Sequence, residues 1–217
     1  AIIVCPASVK YNWQAEALLH FGMRLDVLEG KPKKRSRINS DGITVLNYDI
    51  LKPWLKHLLR AGPQCLIIDE VQFIKNLSAK RTKAVLQLAE DCPSVVGLSG
   101  TPLVNRPIEL WPVMKAIRPD VFPSPKEFAW RYCAPRWTFW GWKFDGAVHL
   151  KELRRILKRT CMIRRLKKNV LKDLPGKSRR IVSFRLKSYK EYHKAQHDFM
   201  NWLRHISPAR AKRAARS

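Results

Sequence analysis

The chain has 217 residues, 46% of them apolar, which is enough for one sizeable core and excludes a fully disordered or fibrous protein. Forty-three Lys and Arg stand against seventeen Asp and Glu, a net charge of +26, and such an excess marks a protein that binds a polyanion, nucleic acid above all. Five scattered cysteines (Cys5, Cys65, Cys92, Cys133 and Cys161) exclude a disulfide framework and a zinc ribbon and point to a reducing, intracellular compartment; no apolar run approaches the ~20 residues of a membrane span.

In chain order, Ile2–Cys5, Leu25–Glu29, Ile43–Asn47, Cys65–Asp69 and Val95–Ser99 read as strands. Their apolar runs are continuous rather than alternating, as strands buried on both faces of a parallel sheet require. Helical patterns lie between them at Trp13–Phe21, Leu51–Arg60 and Ser78–Glu90. This alternation predicts an α/β, three-layer domain whose chemistry sits at the carboxyl ends of the strands. Asp69-Glu70 and Ser99-Gly100-Thr101 fall at such ends.

Beyond Pro102 the pattern changes. Pro107 to Pro125 is punctuated by proline, and Phe128 to Phe144 is rich in aromatic residues. Its rings either form a miniature core or stack on unpaired bases with the help of Arg131, Arg136 and Lys143. Leu150–Cys161 reads as an amphipathic helix with Leu150, Leu153, Ile156 and Leu157 on one face. A basic block at Arg164–Lys168 follows, then Leu174-Pro175-Gly176, a strand-like Ile181–Leu186 and a helix over Tyr189–Ile206 with Tyr192, Phe199 and Leu203 on one stripe. The expected division is 1–122 for the main lobe, 123–162 for an aromatic protrusion with its helix, and 163–217 for a linker into a further lobe.

Adjacent carboxylates ending a buried strand suit a nucleotide hydrolase. Asp69 would hold Mg2+ through its waters, and Glu70 would polarise the attacking water. The bland alternative is a polar strand end. Small hydroxyls at Ser99 and Thr101, around Gly100, can switch hydrogen-bond partners when a phosphate leaves; the alternative there is an ordinary turn.

These residues also carry a family resemblance. Asp69-Glu70-Val71-Gln72 with Ile74-Lys75-Asn76 resembles a DEAH-type box with its "KN" extension, and Ser99–Asn105 with Glu109-Leu110-Trp111 resembles the "SGTPxxN…ELW" block. Pro6-Ala7-Ser8 with Trp13 and Glu16, Asn47-Tyr48-Asp49, and Arg164–Lys167 with Leu174–Lys177 match further motifs in the same order. Together they resemble the first RecA-like lobe of the Swi/Snf group of superfamily-two DNA translocases, on the side of the annealing-helicase, fork-remodelling branch. The resemblance implies a DNA-dependent ATPase using ATP and Mg2+. Asp69, Glu70 and Gln72 would be its catalytic residues, and Ser99, Gly100 and Thr101 would couple hydrolysis to stepping.

DNA contacts are implied at Pro6, Lys10, Asn47, Tyr48, Lys75, Asn76 and Asn105, with Trp13 and Trp111 packed in the core. Gln72 stands where the group most often has His; it can still bridge by hydrogen bonds but carries no proton. No Gly-x-x-x-x-Gly-Lys-Ser/Thr loop occurs in the chain, so the phosphate cradle is expected upstream and the second lobe downstream, with the chain inactive alone. The compartment expected is the nucleus in a eukaryote, or the cytoplasm or nucleoid in a bacterium or phage. Two rivals are an RNA helicase of the same superfamily and a catalytically dead basic nucleic-acid-binding module.

Overall fold

Two strands buried at every position, β1 (Ile2–Cys5) and β3 (Thr44–Asn47), run side by side in the interior of the sheet. The computed structural model describes residues 1–101, 105–170, 178, 180, 182 and 189–206. Together with β2 (Asp26–Val27), β4 (Cys65–Ile68) and β5 (Ser94–Gly97), these strands form a parallel sheet in the order β2-β3-β1-β4-β5. All four pairings are parallel, with Val4 opposite Leu46 on one side and Ile68 on the other. This is the α/β class expected, and every strand lies within or beside its predicted run.

The side-chain period of two divides the core into two layers. Ile2, Val4, Leu46, Leu66 and Ile68 point to one face and pack with α2 (Tyr48–Arg60), α3 (Lys80–Glu90) and α4 (Trp111–Ile117). Ile3, Cys5, Val45 and Leu25 point to the other, where Trp13 and Ala17 of α1 (Lys10–Phe21) cover them. Two helices begin earlier than their apolar periodicity suggests, α1 at Lys10 and α2 at Tyr48. The sheet is less complete at β5, which pairs only with β4 among the described residues. There Val96 and Leu98, on alternate positions, are 45% and 38% exposed.

The segment after the sheet shares the larger core. Phe128 and Tyr132 of α5 (Pro125–Tyr132) meet Phe122 edge to face at 5.1 and 5.9 Å. Ser124 caps α5 by accepting from the Glu127 amide, with Pro125 in the first turn. Leu153 and Leu157 of α6 (Leu150–Thr160) are buried against the same core, whereas Leu150, at the start of the helix, is exposed. Glu152 ties α6 to α5 by accepting from Arg131 and from the Tyr132 hydroxyl. Between the two helices, β6 (Arg136–Thr138) and β7 (Gly141–Lys143) form an antiparallel hairpin.

The chain divides into two compact units, Ala1–Arg164 and Arg165–Ser217. The second contains α7 (Lys167–Val170) and α8 (Tyr189–Ile206), the latter matching its predicted span. Tyr192 and Phe199 of α8 are exposed, and Phe199 stacks on Trp202 at 5.9 Å. The side chain of Leu203 and the strand-like run Ile181–Leu186 (Val182 apart, which is in neither strand nor helix) lie outside the described residues. Among the described residues no helix is long and apolar enough to cross a membrane.

Candidate functional site

The main chain of β4 ends by donating the Asp69 amide to the Val4 carbonyl at 2.8 Å, which carries Asp69 to the carboxyl edge of the sheet. Glu70 then takes a left-handed conformation (φ 48, ψ 55) and opens a short 3-10 turn, Val71–Ile74. A left-handed non-glycine residue costs about 1–2 kcal/mol and needs a surrounding structure that enforces it. Here the enforcement is the Val71 amide, bonded to the Leu98 carbonyl at 2.9 Å, and the buried side chains of Val71 and Ile74 in the turn that follows.

Both oxygens of Asp69 are oriented. Oδ1 accepts from the Glu70 amide at 2.9 Å, and Oδ2 accepts from Trp13 Nε1 at 3.0 Å. The Tyr48 hydroxyl donates to the Asp69 carbonyl at 2.5 Å, and the Tyr48 ring stacks on Phe73 at 5.2 Å. Burial, then the Asp69 charge, raises the Tyr48 hydroxyl well above the ordinary tyrosine range, so it remains a donor at any physiological pH. The same two causes push the nearby Cys5 thiol up to about 11, and burial alone does so for Cys133. Neither thiol is a nucleophile near neutrality.

From the acidic pair a continuous line of hydrogen bonds runs to the next strand end. Gln72 Nε2 donates to Glu70 Oε2 at 2.5 Å, and Gln72 Oε1 accepts from Ser99 Oγ at 2.7 Å. Ser99 Oγ in turn accepts from the Thr101 amide at 3.0 Å. Glu70, Gln72 and Ser99 are all half-buried. A neutral amide is the residue type that can donate to a carboxylate and accept from a hydroxyl at once without titrating. The structure thus joins five of the residues singled out from the sequence, Asp69, Glu70, Gln72, Ser99 and Thr101, and Gln72 occupies the bridging place.

The expected nucleic-acid contacts divide into two sets. Pro6 is half-buried beside exposed Ala7 and Ser8, and Asn76, Gly100, Thr101 and Asn105 are exposed. Lys75 pairs with Glu109 at 3.5 Å, and the Asn105 amide also donates to Glu109 at 3.3 Å, so the "KN" and "ELW" blocks meet at one carboxylate. Lys10, Asn47 and Tyr48, expected to touch DNA, are instead inside: they are 8%, 7% and 3% exposed. Lys10 Nζ donates to the Leu28 carbonyl at 2.9 Å, and Asn47 Nδ2 donates to Asp49. All three stand at the start of a helix, and their polar tips turn inward: Asn47 to Asp49 in its own helix, Lys10 to the loop after β2, and Tyr48 to the Asp69 carbonyl after β4.

Trp111 is core, as expected, with its indole N–H donated to the Phe122 carbonyl at 3.1 Å. Trp13 packs on the smaller core layer and is also the orienting donor of Asp69, a role that its apolar neighbours in sequence conceal. Among the described residues no three His, Cys, Asp or Glu are grouped to hold a metal by themselves.

Residues 1–213 match the SNF2-related domain. The chain is 37% identical over 183 residues to the SWI/SNF-related matrix-associated actin-dependent regulator of chromatin subfamily A-like protein 1 of Xenopus tropicalis, covering 83% of this chain and 19% of that protein. It is 32% identical over 199 residues to the DNA annealing helicase and endonuclease ZRANB3 of Homo sapiens, covering 86% and 18%. The Sulfolobus solfataricus SWI2/SNF2 ATPase core in complex with dsDNA superposes with a TM-score of 0.64 at 27% identity, over 81% of this chain and 36% of that one. The chain spans less than a fifth of the length of these two relatives. On its motifs, its RecA-like sheet and these matches, it belongs to the family of SNF2-related domains.

Proposed function

We propose that this chain is the part of a DNA-dependent ATPase that senses hydrolysis and passes it to a DNA-facing edge, in a motor that translocates on duplex DNA. The observation that carries the reading is the hydrogen-bonded line from Asp69 and Glu70 through Gln72 to Ser99 and Thr101. A carboxylate at one end can meet a nucleotide-bound cation or a water, and exposed Gly100 and Thr101 at the other can meet a phosphate backbone. A change at the first end is then felt at the second through bonds only a few ångströms long.

Mg2+ fits this donor set. The cation favours one or two hard carboxylate oxygens together with waters and substrate phosphates rather than an all-protein cage, and Asp69 offers a half-buried, oriented carboxylate of that kind. Asp69 would hold it, with Glu70 beside it, and the ion would supply neutralisation of phosphate charge. Glu70 would orient and accept a proton from the attacking water. The phosphate cradle would come from outside these residues, since the chain contains no Gly-Lys-Ser/Thr loop. In this reading 1–122 serve as the lobe, 123–162 as a protrusion and 163–217 as the way into a second lobe. Pro6, Lys75, Asn76, Thr101 and Asn105 would face the DNA backbone.

The test is phosphate release by the intact protein with duplex DNA, with RNA and with neither. Duplex DNA is expected to stimulate most. Stronger stimulation by RNA would favour an RNA helicase, and no hydrolysis under any condition would leave only a binding module.

The relay can be cut without touching a charge. Gln72→Leu keeps the volume and removes both bridging bonds. It is expected to lower the stimulation ratio, DNA-bound over DNA-free turnover, about 2- to 30-fold, the range of a single coupling element. An unchanged ratio would show that the two strand ends communicate by another route.

A further inference from the structure

The β6-β7 hairpin holds an arrangement that the motor site does not use. Thr138 pairs with Gly141, so Phe139 and Trp140 alone form the turn. Hairpin turns ordinarily carry Gly, Asn or Asp. Here the positive φ is supplied by Gly141 at 97°, next to the turn, which lets two large aromatic residues occupy the tip. Phe139 is 90% exposed and Trp140 86%, with their rings edge to face at 5.2 Å. No other described large hydrophobic residue is so open to solvent.

The tip is open but its base is braced. Arg136 holds Asp145 through two hydrogen bonds of 3.0 and 2.8 Å, and Arg136 keeps the Asp145 carboxyl down at about 2, so the pair survives mild acid. Trp142 sets its ring against Trp130 of α5 at 4.7 Å and against Trp137 at 5.4 Å. The Gly146 and Val148 amides donate to the carbonyls of Cys133 and Tyr132. Gly146 lies so close to Ala134 that a Cβ there would come within 2.6 Å of it. The exposed rings are therefore presented at fixed positions rather than left on a slack loop.

The surroundings are cationic. Lys143 is exposed opposite Arg136 in the hairpin register. The two acids between Phe128 and Cys161, Asp145 and Glu152, are already engaged by Arg136 and Arg131. On α6 the face away from Leu153 and Leu157 exposes Lys151, Arg154, Arg155, Lys158 and Arg159. Rigid rings with neighbouring cations and neutralised acids match a flexible polyanion with exposed ring faces. Duplex bases hide those faces in their own stack, whereas unpaired bases present them.

We propose that Phe139 and Trp140 form a stacking platform for unpaired nucleobases at the end or junction of a DNA duplex, with Lys143 and the basic face of α6 available to its phosphates. A protein partner is the weaker fit, because a specific protein interface needs about 800 Å2 per side with a packed apolar centre, and the tip offers two narrow rings. The proposal rests on the reading that the chain serves DNA, and goes beyond it by naming a structure in the DNA and the residues that meet it.

The test compares the affinity of the full chain for three fluorescein-labelled DNAs by anisotropy: a blunt duplex, the same duplex with an unpaired thymidine tail, and the same duplex with a tail of abasic sites. The thymidine tail is expected to bind more tightly than the abasic tail. Phe139→Ala with Trp140→Ala is expected to remove that preference, a loss of about 5- to 150-fold per stacked base, while leaving blunt-duplex affinity unchanged. Phe139→Tyr with Trp140→Tyr should retain most of it. Equal binding to thymidine and abasic tails by the unaltered chain overturns the platform without any variant, and so does a preference that survives the alanine changes. Blunt-duplex binding with no tail preference would overturn the platform alone; failure to bind any of the three would overturn it together with the DNA reading.

Discussion

Glu70→Gln in the intact protein is expected to lower DNA-stimulated ATP hydrolysis by about 10²- to 10⁴-fold, the usual share of a positioned proton acceptor. Nucleotide binding should stay close to its original strength. The substitution keeps the side-chain shape, so the left-handed backbone and the 3-10 turn after it are not disturbed. The amide can still present its oxygen to Gln72 Nε2, which keeps the relay closed. What it loses is the negative charge and the capacity to take a proton from water. Steady-state phosphate release with saturating duplex, beside equilibrium binding of a fluorescent ATP analogue, separates the two. Undiminished turnover would remove Glu70 from its assigned role, and parallel loss of binding would point to a damaged fold.

Phe128→Ala is expected to destabilise the chain by about 3–5 kcal/mol, seen as a fall in the urea midpoint. Phe128 is 2% exposed and lies 5.1 Å from the Phe122 ring and 5.0 Å from that of Tyr132, so truncation leaves a void that these rigid ring neighbours cannot close. Trp140→Ala, twelve positions on in the same aromatic run, should leave the midpoint nearly unchanged because its ring is 86% exposed. The pair of measurements splits one stretch of sequence into a structural half and a presented half. A loss below about 1 kcal/mol for Phe128→Ala would show that the segment is not part of the main core.

The sheet and the acidic pair were legible in the sequence for physical reasons. Buried parallel strands leave continuous apolar runs, and Asp69 follows such a run directly, so its place at the carboxyl edge required no long-range information. The Ser99 to Gln72 bond was legible only through the family motifs, since no local rule links strand ends so far apart in the chain. At Lys10, Asn47 and Tyr48 a motif names the residue without saying whether its polar tip turns inward, and here the tips meet the Leu28 carbonyl, Asp49 and the Asp69 carbonyl. Trp13 was concealed for the opposite reason. Its packing was visible in its apolar neighbours, but the hydrogen bond it donates depends on a partner at the end of β4, far away in the chain. The hairpin within Phe128–Phe144 was not foreseen, because its turn carries rings where turn chemistry usually carries small polar residues.

The unfinished border at β5 has a consequence for handling the molecule. Among the described residues β5 has one unpaired side, with Val96 and Leu98 open on one face, and such a border is a template for strand addition by another copy. A net charge of +26 holds such copies apart in dilute buffer. Added salt screens that repulsion, with a Debye length of about 10 Å at 0.1 M, and leaves the apolar border untouched. The salt concentration that strips the chain of nucleic acid during purification is thus also the one that removes its protection against self-association.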